Sequence, residues 1–136
     1  MHACAALRSA GVEVRAANIP VTFPAWEVNG RMIGGVAVPK GASFVTPKAF
    51  AAELESRAPF PINGLEWTRF AEEPDVLVAE ARRLVEHRTR SFEVLLEGSW
   101  DVGVCVCVAP DRVKHPMGAF VLPALAYSFP EAARDA

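Results

Sequence analysis

The stretch Trp100-Asp-Val-Gly-Val-Cys-Val-Cys-Val-Ala-Pro-Asp-Arg-Val-Lys-His115 decides how this chain is read. Residues 102–108 are almost unbroken apolar and rich in valine, the pattern of a strand covered on both faces in a parallel sheet. Asp111 and His115 follow, four residues apart. A carboxylate and an imidazole just past the carboxyl end of a strand stand where open α/β sheets gather their chemistry. Both side chains are ligands for a divalent cation. Taken alone, a solvated turn after a strand would account for the same charged residues.

Upstream of this strand, Leu77, Ala81, Leu84, Val85, Phe92, Leu95 and Leu96 recur at three- and four-residue steps. That spacing predicts the longest helix of the chain over residues 74–97, with one buried stripe, ended by Gly98-Ser99. His87 falls in its middle and reads as a surface residue. Residues 58–73 carry aromatics and prolines with no period and are expected to be irregular. Thr46-Pro47 reads as a helix start, Thr46 as N-cap and Pro47 in the first helical position, with helix to Arg57. Residues 18–35 hold two prolines, Asn29-Gly30 and Gly34-Gly35. They are expected to form a long turn-rich loop in which only Arg31 to Ile33 is briefly extended. A first helix over residues 3–10 stops at Gly11, and residues 12–17 alternate as a short strand. Strand, helix, helix, strand makes a crossover unit and an α/β fold. Residues 116–136 lose the patterning and form an unassigned tail.

The chain has 136 residues, 51% of them apolar, with 14 lysines and arginines against 16 aspartates and glutamates for a net charge of −2. One domain of this length buries a sizeable core. The charge balance and the lack of a basic block argue against nucleic acid as a partner. No apolar run reaches the roughly 18 residues that cross a bilayer, and residues 1–11 lack the features of a signal peptide, so a cytoplasmic protein is expected. Cys4, Cys105 and Cys107 are an odd number of cysteines. The last two share a strand face, which predicts buried, reduced thiols. A metal or redox site on that pair would rest on one spacing alone.

Two stretches resemble the type I phosphodiesterase/nucleotide pyrophosphatase family of the alkaline phosphatase superfamily. One covers residues 5–39: Leu7-Arg-Ser-Ala-Gly11, Asn18-Ile-Pro-Val-Thr-Phe-Pro24, Val28-Asn-Gly30, Met32-Ile-Gly34 and Pro39. The other is the Trp100 to His115 segment, which looks like the family's Trp-Asp, apolar strand, Asp-Arg-x-x-His. The likeness spans about residues 5–115 and is weak over 60–98. Phe23 stands where the family has Tyr, Ala25 where it has a second Pro, and Pro110 where it often has Thr.

The resemblance implies a single partial domain over residues 1–136, a fragment of an alkaline-phosphatase-like sandwich with a mostly parallel central sheet and covering helices. It implies that Asp111 and His115 hold one of two divalent ions, usually zinc, that clamp a phosphate ester during in-line displacement. Manganese would suit the same ligand types. Thr22 and Asn29 fall on the implied active-site loop. The family's nucleophile segment, its later Asp-His pair and its further histidine have no counterpart here, and two protein ligands fall short of the three usual for catalytic zinc. For Thr22, bonding the loop backbone is favoured over the role of nucleophile. The expectation is a segment of a metal-dependent phosphohydrolase acting on phosphodiester or nucleotide pyrophosphate bonds, inactive as this chain alone. The alternative is a non-catalytic remnant that serves as a binding module, with self-association through unpaired sheet edges.

Overall fold

Val14–Ile19 (β1) is the strand around which the sheet is built. The structure is a computed structural model that describes residues 3–35, 38–62, 64–65 and 73–121. In chain order its elements are α1 (Ala3–Ser9), β1, β2 (Gly30–Gly34), β3 (Val45–Thr46), α2 (Lys48–Arg57), α3 (Pro74–Leu95), β4 (Val102–Cys105) and α4 (Ala109–Val121). Among the described residues the sheet has the order β3-β2-β1-β4. β1 runs parallel to both neighbours, pairing Val14 with Gly30 on one side and with Val102 on the other. β3 is antiparallel to β2. The fold is therefore α/β with a mixed, four-stranded sheet, and two of its three pairings are parallel.

The chain divides into two compact units, Met1–Ile62 with His87–Cys107, and Asn63–Glu86 with Val108–Ala136. In the first unit the period-two alternation of β1 and β2 feeds two apolar layers. Ala17 and Ile33 meet Phe50 and Leu54 of α2, Val94 and Leu95 of α3, and Phe60. Val14, Ala16 and Met32 meet Leu7 of α1 together with Ala25, Trp26 and Val28. These last three lie in the connection from β1 to β2, and it contains no helix. Parallel neighbours ordinarily need a crossover of a dozen or more residues. Here residues 20–29 cover the sheet face in the helix's place.

Arg15 is buried in this unit, 6% exposed, and its guanidinium donates to Glu13 (2.6 Å) and to the Ser99 carbonyl (3.2 Å). Arg31 donates to the Val94 carbonyl (3.2 Å) and lies 4.8 Å over the Phe50 ring. Long aliphatic stems bury well when the charged head keeps such partners. The second unit has its own apolar cluster, Leu65, Leu77 and Ala81 with Leu84, Val113 and Met117.

Several expectations hold and some are corrected. α3 carries the predicted buried stripe, with Leu77 and Leu95 fully buried and His87 exposed. Gly11 and Gly98 take left-handed conformations (φ 71° and 83°) just past α1 and α3. The described parts of residues 58–73 hold no regular element, and the rest lie outside the described residues. Thr46 is not the N-cap of α2: it pairs with Met32 in β3, and Pro47 takes the cap position with no side-chain hydrogen bond. Sheet pairing fixes the Thr46 backbone one residue too early for its hydroxyl to reach the helix amides.

The larger correction concerns residues 102–108. The strand spans Val102–Cys105 only, at the sheet margin, and Gly103, Val104 and Cys105 are exposed. Cys105 and Cys107 are free and exposed, not buried. A valine-rich run reports a β preference, whereas burial needs layers over both faces of the strand; β4 lies at the sheet margin, with no strand on its outer side among the described residues. No helix among the described residues is long and apolar enough to cross a membrane.

Candidate functional site

Local geometry at the carboxyl end of β1 is set by Asn18 and Thr22. Asn18 sits in the left-handed region (φ 58°), which an Asn tolerates better than most residues. The β1–β2 register slips there, between Ala17 and Ile19. That slip turns the Asn18 side chain to donate to the Val106 carbonyl (2.7 Å), which ties β1 to the end of β4. The Thr22 hydroxyl donates to the Ile19 carbonyl (2.6 Å) and accepts from the Gly35 amide (3.1 Å). A Cβ at Gly35 would lie 2.5 Å from the Asn18 carbonyl carbon, so this closure requires glycine. Thr22 is fully buried, 1% exposed, and committed to the backbone.

Asn29 lies at the other end of β1. Its side-chain amide donates to the Gly11 carbonyl (3.1 Å), and its own carbonyl accepts from the Val14 amide (2.7 Å). The two loop residues implied by the resemblance are thus held at opposite ends of one strand. Each makes hydrogen bonds that shape the backbone around it.

Asp111 and His115 belong to the second unit, on α4 rather than in a loop. Four residues on a helix bring side chains to one face. The Asp111 Oδ1 and His115 Nε2 are 3.4 Å apart, and both side chains are well exposed, 67% and 63%. At 100° per residue this face points away from Val113 and Met117, which enter the apolar cluster. Pro116 interrupts α4 directly after His115. It removes the amide that would bond the Arg112 carbonyl and loosens the turn that carries the imidazole.

A carboxylate oxygen and an imidazole nitrogen bound to one tetrahedral ion at about 2.0–2.1 Å stand roughly 3.3–3.5 Å apart. The pair on α4 meets that spacing. Among the described residues no third His, Cys, Asp or Glu joins them, so the residues present fit one edge of a coordination sphere.

Other residues of the quoted stretch have structural work. Asp101 accepts from the Glu13 amide (2.8 Å), and the Trp100 indole donates to the Leu96 carbonyl (3.0 Å). They fasten the start of β4 to β1 and to the end of α3. The second unit also holds a groove of about 440 Å³ lined by Val78, Ala81, Arg82, Val85, Glu86, Ala109, Pro110 and Val113. It lies along the side of α4 that carries Val113, not the side that carries Asp111 and His115. Sequence reasoning passed over Asn18, the residue that clamps β1 to β4. It stood in the sequence as the first residue of the Asn18-Ile-Pro-Val-Thr-Phe-Pro24 stretch, directly after a strand, with no role assigned to its side chain. No family model, curated protein or solved structure matches this chain.

Proposed function

We propose that this chain is a segment of a metal-dependent phosphohydrolase similar to the type I phosphodiesterase/nucleotide pyrophosphatase family, acting on phosphodiester or nucleotide pyrophosphate bonds once completed by the rest of such an enzyme. The observation that carries the reading is the Asp111–His115 pair at 3.4 Å on the exposed face of α4. An α/β order with β4 parallel to β1 supports it. Asp111 and His115 would hold one divalent cation, zinc by preference, and the cation would supply positive charge against phosphate oxygens. Thr22 and Asn18 hold the loop at the carboxyl end of β1. With two ligands the chain alone binds zinc weakly and does not turn over substrate.

Calorimetric titration of the full chain with Zn(II) tests the reading. Asp111→Ala and His115→Ala should each lower affinity at least tenfold, with no phosphodiesterase activity in any of the three proteins. Zinc affinity that is indifferent to both substitutions would sink the proposal.

A second reading, an interaction module, is favoured by one observation. Among the described residues no strand pairs with the outer edge of β4, and Trp100 and Val104 are 44% and 41% exposed beside it. Unpaired strand edges of this kind recruit further strands, another copy included. A concentration-dependent mass in sedimentation that Val104→Lys suppresses would support this reading, and a monomer at all concentrations would end it.

A further inference from the structure

We propose that Cys105 and Cys107 form a surface dithiol site for a soft monovalent cation, Cu(I). The residue between them fixes the geometry. The Val106 amide donates to the Ala17 carbonyl (3.0 Å), and the Val106 carbonyl accepts from Asn18 Nδ2 (2.7 Å). Both polar groups of Val106 are therefore spent toward β1. This carries the course of β4 past Cys105, and the alternation of extended chain puts the two cysteine side chains on one face, with Cα atoms about 6.6 Å apart. Both thiols are free and exposed.

The number of donors selects the cation. Among the described residues no third His, Cys, Asp or Glu stands with them. Zinc held by two thiolates would have to complete its sphere with water, whereas thiolate sulfur favours Cu(I), whose linear coordination two sulfurs complete. Uptake is an exchange without electron transfer. Two thiols lose two protons to the buffer, two Cu–S bonds form, and the bis-thiolate complex carries one negative charge. This site is independent of Asp111 and His115, whose oxygen and nitrogen donors suit harder ions.

The test is anaerobic titration of the full chain with Cu(I) against a chromophoric Cu(I) chelator. The expected result is one equivalent per chain, retained in Cys4→Ser, with affinity lowered at least a hundredfold by Cys105→Ser or Cys107→Ser. Cys→Ala versions at both positions repeat the measurement should a serine variant fail to fold. Cu(I) affinity should be unchanged by Asp111→Ala and His115→Ala, which separates this site from the one on α4. Three results would overturn the proposal: Cu(I) uptake unaltered when both cysteines are replaced, uptake that requires Cys4, or a complex whose native mass holds two chains bridged by one ion.

Discussion

Val21 holds a left-handed conformation (φ 62°) with its side chain 83% exposed. A β-branched residue gains nothing from packing there and bears a backbone cost of about 1–3 kcal/mol. Val21→Gly should therefore stabilise the fold by about 1 kcal/mol after the entropy of glycine is counted, read as a higher urea midpoint with unchanged slope. Gly35 is the opposite case. A methyl group there would meet the Asn18 backbone at 2.5–2.7 Å, so Gly35→Ala should cost about 3 kcal/mol or more. Gly11→Ala meets no atom within 4 Å and bears only the φ of 71°, for a loss of about 1 kcal/mol. Thr22→Val keeps the shape and removes the hydroxyl that serves Ile19 and Gly35. The loss should be about 1–3 kcal/mol in the same denaturation assay. These differences were not legible in the sequence. Thr22 and Asn29 stand within eight residues of each other there, and nothing local says that one strand length separates the ends they serve.

At the scale of elements, α3 was legible because its stripe repeats over six turns, and each repeat adds to one signal. Leu95, fully buried between α2 and the sheet layer of Ala17 and Ile33, should lose about 2–5 kcal/mol as Leu95→Ala. β4 was legible as a strand and illegible as an edge. The almost unbroken apolar run of residues 102–108 is the same string whether one strand or two flank it. α4 escaped notice because Pro110 and Pro116 break the usual signs of a helix, although Pro110 stands in the first turn, where proline is tolerated. The Asp-x-x-x-His spacing was visible, but the helix that turns it into a 3.4 Å pair was not. α2 and the end of α3 are joined by Arg57, which contacts Glu53 at 2.8 Å and Glu97 at 2.6 Å. The guanidinium, hydrogen-bonded to Glu97, holds that carboxyl below its ordinary value of 4.5. A lowered folded-state value means that the contribution is complete above the unfolded value and is lost as pH falls through the folded one. Stability measured from pH 6 down to pH 2 should fall below about pH 4.5, and Glu97→Gln should flatten part of that slope. High salt should weaken the same contribution, since both partners face solvent.

At the scale of the whole molecule, the sheet joins segments that are near and far along the chain. Val14 pairs with Gly30, 16 residues on, and with Val102, 88 residues on. Closing the longer loop costs about 1.5 kcal/mol more chain entropy than the shorter, by the logarithmic scaling of loop closure. The parallel pair β1 and β2, closed by the shorter loop, can therefore assemble early, while β4 joins last. On a growing polypeptide the delay is longer still, because β4 does not exist until some 70 residues after β2 have been made. During that interval the far side of β1 is an open template, and Ala16 and Ala17 at its centre carry no charge to repel a stranger. Refolding yield should then fall with protein concentration, and a synthetic peptide of residues 99–108 added at the start should raise it by occupying β1 ahead of its own distant partner.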